Sequence, residues 1–305
     1  MNSDEARLRI LVTGAAGMLG RDLVPLLALR HEVIAADLAE FDVTDPVACE
    51  RFIGHARPDV VVHCAAFTQV DRCETERDLA YRVNARAPGN VARACRGAGA
   101  RMVHLSTDYV FDGRKDGPYV EEDRPLPTSV YGKSKWLGEV EVTRELASGP
   151  GCAILRTAWL FGPHGPNFVE TILRLAGERD HLEVVDDQRG CPTYTVDLAG
   201  AIRAVIEKDA RGIFHAVGAG VVTWRGFAVE ILRRSGIAKE VRPLTSAELN
   251  RPALRPANSV LSTEKLRRAT GCVFRDWREA LADYLGRPER TVAGGPGPAR
   301  AGDTT

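Results

Sequence analysis

Short apolar runs alternate with longer amphipathic runs through the first half of the chain, and this alternation constrains the fold more than any other feature. The apolar runs have the length of strands and are residues 8–13, 32–36, 59–63, 101–106 and 152–157. The runs with a helical pattern between them include residues 18–29, 79–96 and 130–146. Apolar strands that alternate with amphipathic helices form a parallel sheet covered by helices on both faces. The sequence therefore predicts an α/β fold with a doubly wound parallel sheet.

The second half of the chain has shorter and less regular segments. The predicted helices there are residues 168–177, 196–208, 224–234, 263–270 and 277–285, with one short strand at residues 212–217. We predict a sheet domain over residues 1–160, whose core continues to about residue 200 with some exchange of segments. A smaller C-terminal α/β lobe follows over residues 161–286. Residues 287–305 are rich in Gly, Pro and charge and are expected to form a flexible tail.

Composition excludes several classes of protein. Lys plus Arg and Asp plus Glu each number 41, so the basic excess typical of nucleic-acid-binding proteins is missing. No apolar run is long enough to span a bilayer, and the charged first residues argue against a signal peptide. The seven cysteines are scattered, and none are spaced as in a disulfide framework or a zinc site. We therefore expect a cytoplasmic protein that binds neither nucleic acid nor membranes.

A glycine-rich turn follows the first predicted strand. Gly14, Gly17 and Gly20 form a GxxGxxG pattern at the start of the first helix. Glycines at such a turn let backbone N–H groups approach a pyrophosphate, and the helix N-terminus adds partial positive charge. This pattern after a strand predicts a dinucleotide-binding domain.

An acidic residue ends the second predicted strand. Asp37 stands seventeen residues after Gly20, where a carboxylate can accept hydrogen bonds from the adenosine ribose. No Arg or Lys follows at Leu38 or Ala39 to bind a 2′-phosphate, which favours NADH over NADPH and leaves both open. Asp42 and Val43 are expected to flank the adenine.

A tyrosine and a lysine four residues apart suggest acid–base chemistry. Tyr131 and Lys135 share one face of the helix predicted at 130–146. A neighbouring ammonium stabilises a phenolate, so the tyrosine can donate its proton to a developing alkoxide. Thr107 lies at the carboxyl end of the fourth strand, directly after residue 106, where its hydroxyl can donate to the same oxygen. Asn84 has two open interpretations: it orients a water near Lys135, or it faces solvent.

Together these motifs resemble the extended short-chain dehydrogenase/reductases, and among them the reductases of dTDP-linked 4-keto-6-deoxyhexoses. The resemblance covers roughly residues 8 to 285. It rests on the glycine turn, the run 65–71, Thr107-Asp108-Tyr109 and Tyr131–Lys135, and it continues through 156–162, Asn167-Phe168, 187–188, 191–193 and 255–259. It implies a Rossmann sheet with a smaller substrate lobe, and hydride transfer from NADH or NADPH to the sugar C4.

The resemblance also implies roles for individual residues. Thr107, Tyr131 and Lys135 are the implied catalytic residues. The implied cofactor contacts are Gly14, Gly17, Met18, Leu19, Asp37, Asp42, Val43, Ala65, Ala66, Tyr131 and Lys135. The implied substrate contacts are Thr68, Val70, Tyr109, Trp159 and Asn167, with Arg255 and Asn258 in a loop that meets the nucleotide diphosphate.

Alternatives remain at this point. Tyr109 stands where dehydratases of the superfamily place an acid, which favours simple reduction. A 4-keto reductase for a different nucleotide-linked deoxysugar, or a non-catalytic regulatory subunit that binds the dinucleotide, fits the same motifs. Some relatives form metal-bridged dimers through glutamates, but this chain has Asp22 at the matching position. We therefore predict no metal site and leave a homodimer possible.

Overall fold

The computed structural model describes residues 7–287. The strands are β1 Arg9–Thr13, β2 Glu32–Ala36, β3 Val60–His63, β4 Arg101–Thr107, β5 Cys152–Thr157, β6 Leu160–Phe161, β7 His181–Val185, β8 Arg189–Gly190, β9 Thr193–Tyr194, β10 Gly212–His215, β11 Val222–Thr223 and β12 Glu240–Leu244. The helices are α1 Met18–Ala28, α2 Pro46–Ala56, α3 Val70–Thr75, α4 Arg77–Tyr81, α5 Ala87–Ala98, α6 Val130–Leu146, α7 Phe168–Glu178, α8 Thr195–Glu207, α9 Trp224–Arg234, α10 Ser246–Leu249, α11 Glu264–Thr270 and α12 Trp277–Gly286.

The central sheet has six parallel strands in the order β10-β5-β4-β3-β1-β2. The strand order reverses at β1, because the chain runs from β1 outward to β2 and then crosses to β3 on the other side. Ligands of doubly wound sheets bind beyond the carboxyl ends of the strands at such a reversal. The turn after β1 and the segment after β3 both lie at this point.

Side chains along each strand alternate between two apolar layers. Ile10 and Val12 of β1 face α1 and α8, whereas Leu11 between them faces the layer formed with α2, α5 and α6. Residues of the inner strands β1, β3, β4 and β5 are almost completely buried, whereas the edge strand β2 is half exposed. The apolar pattern of the strands thus reflects burial on both faces, and the predicted doubly wound sheet is confirmed.

The smaller lobe has its own apolar core. α9 packs on the parallel pair β7 and β12, α7 packs on β7, and α12 packs on α9 and β9, with Phe227, Trp277 and Tyr284 fully buried among them. α7 begins at Asn167, whose side chain accepts hydrogen bonds from the backbone of Val169 and Glu170.

The two halves of the chain are interleaved. β10 pairs in parallel with β5 at the edge of the central sheet. The core of the sheet domain was predicted to end at about residue 200, before β10 begins. α8 and Leu266 of α11 also pack in the core formed with α1. The exchange of segments therefore extends further along the chain than the sequence indicates.

The predicted helix at 79–96 has an irregular centre. Arg82–Arg86 forms a π-helical turn between α4 and α5. α2 has no counterpart among the predicted helices, although Asp45 caps it and Pro46 occupies its first turn, which is a recognisable start signal.

No helix in the described part of the chain is long and apolar enough to cross a membrane. The tail predicted at 287–305 lies, from residue 288, outside the described residues.

Candidate active site

The glycine turn brings β1 and α1 close to the segment after β3. Gly14 has φ +69°, and a Cβ there would lie 2.7 Å from the backbone nitrogen of Ala65. A Cβ on Gly20 would lie 2.5 Å from the carbonyl oxygen of Ala15. α1 begins after Gly17 with no side chain capping its free N–H groups. This cradle fits a dinucleotide pyrophosphate, which needs close backbone approach and uncapped N–H donors.

Asp37 lies beside this turn at the end of β2. Its carboxylate accepts a hydrogen bond from the backbone N–H of Ala16, and Glu40 in turn accepts from the N–H of Asp37 at 2.7 Å. Asp37, Val43 and Ala65 line a small pocket of about 90 Å³ next to the turn. Two carboxylates at this edge are unfavourable for a 2′-phosphate.

Asp42 does not line this pocket. Its carboxylate accepts from the backbone of Thr44 at 2.8 Å and stabilises the turn before α2. The structure therefore brings Val43, but not Asp42, to the position expected for the adenine.

A first cleft of about 460 Å³ opens at the carboxyl ends of β1, β3, β4 and β5. The residues expected at the site that line it are Gly14, Gly17, Met18, Leu19, Ala66, Thr68, Val70, Thr107, Tyr109, Tyr131, Lys135 and Trp159. Residues from four loops and α6 therefore converge on one cleft.

Three side chains with hydroxyl or ammonium groups lie together in the first cleft. Thr107 and Tyr131 both line this cleft, and their hydroxyl groups are close enough to interact. Lys135 donates to the carbonyl oxygen of Leu105 at 2.6 Å and is 3% exposed. α6 can approach β4 this closely because Gly132 packs directly on the backbone carbonyl of Tyr109, where any Cβ would clash.

Burial shifts the proton affinities of these groups. The apolar surroundings raise the pKa of Tyr131, because a phenolate there would lose its hydration. Burial also lowers the pKa of Lys135 to about 8, against the opposing attraction of Glu139. Tyr131 is therefore a protonated donor at neutral pH, and Lys135 keeps most of its charge.

Asp108 is a cleft residue that the sequence analysis did not assign. It is 2% exposed, its Oδ1 accepts from the Thr107 hydroxyl at 2.9 Å, and its Oδ2 has no hydrogen-bond partner in the protein. Burial raises the pKa of this carboxyl to about 6. Asp108 could have been predicted at the site, because it directly follows Thr107 in the sequence.

Asn84 is fully buried in the π-helical turn, so the solvent-facing interpretation is wrong. Its amide accepts from the N–H of Phe67 at 2.8 Å and donates to the carbonyl of Phe67 at 2.9 Å. It also donates to the Ser134 hydroxyl at 3.2 Å. Asn84 thus ties the segment before Thr68 to the helix that carries Tyr131 and Lys135.

Trp159 closes the far side of the first cleft. Its backbone is left-handed, with φ +49°, a strained conformation for a bulky residue. Its ring stacks on Trp224, and Gly190 leaves room for it, since a Cβ there would lie 2.5 Å from the Trp159 ring. Trp224 was not foreseen, because it is distant in sequence and lies in an ordinary helical pattern.

A second cleft of about 280 Å³ adjoins the first, and Trp224 lines both. Its walls are mainly apolar side chains of α7, β7 and β12. The polar and charged residues of its lining are Thr171, Arg179, Glu183, Gln188, Arg251 and Arg255. Arg255 therefore lies at the second cleft and not at the first. Arg251 was also missed by the sequence analysis.

Asn167 and Asn258 do not reach either cleft. The Asn167 amide donates to the carbonyls of Gly162 and Gly165 while its oxygen caps α7. The Asn258 amide donates to the carbonyls of Lys115 and Gly117 at 2.7 and 2.9 Å. Both side chains are buried and engaged with the protein, so the substrate contacts expected of them are corrected to loop-holding roles.

Asp22 is hydrogen-bonded to the Thr195 hydroxyl and lies 3.4 Å from His164. Within residues 7–287, no group of three or more His, Cys, Asp or Glu side chains is arranged to hold a metal ion.

The parallel sheet and the arrangement of Thr107, Tyr131 and Lys135 define an extended short-chain dehydrogenase/reductase. The chain belongs to the family described as the RmlD substrate binding domain, whose model matches residues 8–289.

Named relatives agree with this family. A dTDP-4-dehydrorhamnose reductase of Streptomyces griseus is 44% identical over 299 residues, covering 94% of this chain and 98% of the relative. A dTDP-4-keto-6-deoxy-D-glucose reductase of Streptomyces niveus is 42% identical over 275 residues, covering 90% and 95%. The crystal structure of dTDP-4-dehydrorhamnose reductase from Bacillus anthracis in complex with NADP is 36% identical, with a TM-score of 0.88, and covers 92% of this chain and 99% of that chain.

Proposed function

We propose that this chain reduces the C4 carbonyl of dTDP-4-dehydro-L-rhamnose to give dTDP-L-rhamnose, using NADH or NADPH. The observation that carries the proposal is the convergence of Thr107, Tyr131 and Lys135 in one cleft that begins at the glycine turn. The names of the relatives from S. griseus and B. anthracis support the same reaction and a nicotinamide cofactor.

The residues of the first cleft would perform the proton chemistry. The nicotinamide, when bound, supplies the hydride that C4 receives. Thr107 would turn its hydroxyl hydrogen from Asp108 to the carbonyl oxygen, and Tyr131 would transfer its proton to that oxygen as negative charge develops. The Lys135 ammonium stabilises the resulting phenolate, which solvent then reprotonates. Burial of all three groups strengthens these interactions by excluding water.

The substrate would extend across both clefts. The sugar lies in the first cleft among Thr68, Val70, Tyr109 and Trp159. The nucleotide then lies in the second cleft, whose apolar wall suits a base and whose arginines suit a diphosphate. This layout agrees with the expectation that the loop of Arg255 meets the nucleotide diphosphate.

A spectrophotometric assay tests this function. Purified full-length protein is mixed with dTDP-4-keto-L-rhamnose, generated in situ, and oxidation of NADH and of NADPH is followed in parallel. Oxidation that depends on both sugar and protein supports the reductase, and the two rates give the cofactor preference. No oxidation by protein that still binds the dinucleotide would contradict the proposed reaction and favour a regulatory binder.

A second candidate is a 4-keto reductase for another dTDP-linked deoxysugar. The S. niveus relative, named for a 4-keto-6-deoxy-D-glucose substrate, is about as similar to this chain as the relative from S. griseus. Comparing kcat/KM for the two keto-sugars decides between them.

The cytoplasmic location and the homodimer stay predictions. All seven cysteines are free thiols, as a reducing compartment requires. Measurement of the mass in solution tests the homodimer.

A further inference from the structure

Asp71 connects the two lobes through a single carboxylate. It lies in α3 directly after Val70, and its oxygens accept from both terminal nitrogens of Arg255 at 2.9 and 3.1 Å. Arg251 donates to the same carboxylate at 3.3 Å, as does the backbone N–H of Ala253. One side chain of the sheet domain thus holds three positions of the segment 251–255.

The two arginines held by Asp71 both line the second cleft. Arg255 also lies close to the side chain of Tyr109, which lines the first cleft. The ion pair between Arg255 and Asp71 is largely shielded from solvent, since the two side chains are 20% and 26% exposed. Forked contacts of this kind fix the plane of a guanidinium as well as its position.

The segment that carries the arginines has no regular structure of its own. It leaves α10 at Asn250 and runs as a loop to the isolated bridge between Arg189 and Asn258. Leu254 within it is 68% exposed. Without Asp71, the guanidinium groups would sample many side-chain rotamers, and binding would have to restrict them.

We infer that Asp71 is a positioning residue, which fixes Arg251 and Arg255 at the second cleft so that they receive the diphosphate of the nucleotide-sugar. This inference rests on the proposed function. A guanidinium has five N–H donors, and the three bonds to Asp71 and the Ala253 carbonyl leave Arg255 two of them. Arg251 contacts Asp71 through one nitrogen and keeps its other donors. Asp71, Arg251 and Arg255 together carry two positive charges and one negative charge, so their net charge attracts an anion.

The opposite role predicts an opposite result. If Asp71 merely occupied the place of the diphosphate, its neutralisation would release the arginines and tighten substrate binding. If Asp71 positions them, its neutralisation weakens substrate binding. The sign of the change therefore decides.

The test compares wild type with Asp71→Asn, and Asp197→Asn serves as a matched control. Asp197 binds Arg275 at 2.9 Å and lines neither cleft. Calorimetry measures the Kd of dTDP, of thymidine and of NADH, and steady-state assays measure kcat and KM for the keto-sugar. We expect Asp71→Asn to raise the dTDP Kd and the sugar KM roughly 10- to 100-fold, with kcat and the Kd values of thymidine and NADH unchanged. Asp197→Asn should change none of these values.

A second variant guards against a folding defect. Asp71→Glu keeps the charge but displaces it, so it should raise KM less than Asp71→Asn does. If Asp71→Asn fails to bind NADH, Asp71→Glu alone decides, and a KM equal to that of wild type overturns the inference. Tighter dTDP binding by Asp71→Asn, or a fall in kcat alone, also overturns it.

The outcomes separate this inference from the proposed function. If wild type reduces the keto-sugar and Asp71→Asn has the same KM, the function stands and the inference fails. If wild type binds dTDP without reducing the sugar, and Asp71→Asn weakens that binding, the inference stands and the reaction fails. If wild type neither binds dTDP nor reduces the sugar, both are overturned.

Discussion

Trp159 and Trp224 stack face to face, with ring centroids 3.5 Å apart and planes inclined by 7°. Trp159 follows β5 of the central sheet, whereas Trp224 begins α9 in the smaller lobe. The stacked pair therefore joins the lobes at the boundary between the two clefts. Trp159 has a positive φ. Strained non-glycine residues of this kind are often found at functional sites, where the surrounding structure maintains the strain.

Gly190→Ala should disturb this pair, because the new Cβ would overlap the Trp159 ring. We expect kcat/KM for the keto-sugar to fall roughly 10- to 100-fold, with the NADH Kd unchanged. Steady-state assays and dinucleotide titrations measure both. Gly54→Ala is the control, because nothing lies within 4 Å of its Cβ position in α2, and it should leave activity unchanged. Full activity of Gly190→Ala would remove Trp159 from the sugar site.

Tyr131→Phe should remove the proton donor while preserving the packing of the ring. Turnover should fall about 10²–10⁴-fold, the range for loss of a general acid, while the NADH Kd stays near that of wild type. Single-turnover assays, together with fluorescence titration of NADH, separate the two effects. Retention of wild-type turnover would show that another group donates the proton.

Lys135 should impose an upper pH limit on activity. Burial lowers the pKa of its ammonium to about 8, so the charged form predominates below that pH and is lost above it. Since kcat/KM reports ionisations of the free enzyme, kcat/KM for the dinucleotide should be level near neutrality and decline above about pH 8. A profile that stays level well above that pH would exclude a role for the Lys135 charge.

Asp37→Ala should weaken NADH binding more than NADPH binding. The variant loses a ribose acceptor for NADH, whereas for NADPH it also relieves repulsion of the 2′-phosphate. Some loss is expected for both, because Asp37 also accepts from the backbone of Ala16 in the glycine turn. Titration of each cofactor gives the comparison, and an equal loss for both would place the ribose contact elsewhere.

Asp108→Asn should stabilise the protein at neutral pH. Burial raises the pKa of Asp108 from 3.8 to about 6, so the native state binds this proton more tightly than the unfolded state does. The free energy of unfolding of wild type should therefore fall as the pH rises from about 4 to above 6, by up to about 3 kcal/mol. Asn cannot ionise, so the stability advantage of the variant should grow over the same interval.

Urea unfolding at several pH values measures the effect of Asp108→Asn. Asp112→Asn is a control of opposite sign, because hydrogen bonds from the Arg114 backbone and from Tyr119 lower the pKa of Asp112. Removal of the Asp112 carboxylate should therefore destabilise the protein at neutral pH. A stability difference for Asp108→Asn that does not change with pH would contradict the prediction.

Local sequence patterns were sufficient to predict the sheet and to select Thr107, Tyr131 and Lys135, which the structure brings to one cleft. Strands buried on both faces carry uninterrupted apolar residues, and the positions of Tyr131 and Lys135 follow from one helical turn. Thr107 could be identified because it directly follows a predicted strand. Each of these features depends on residues close together in the chain.

The remaining features depend on contacts between distant segments. Trp224 joins the clefts only because the smaller lobe folds back on β5, and Asp71 meets Arg255 across 184 positions. The sequence also could not reveal that backbone carbonyls occupy the amides of Asn167 and Asn258. A residue that matches a motif can hold a loop as well as bind a ligand, and the distinction appears only in three dimensions.

The pairing of β10 with β5 has a consequence for how this chain can be divided. A fragment that stopped near residue 200 would leave one side of β5 without its hydrogen-bonding neighbour. It would also expose the apolar residues that pack with Phe214 in the core. Unpaired, apolar strand edges promote aggregation. The dinucleotide half is therefore not an independent folding unit, and ribosomal synthesis must pass His215 before the sheet can close.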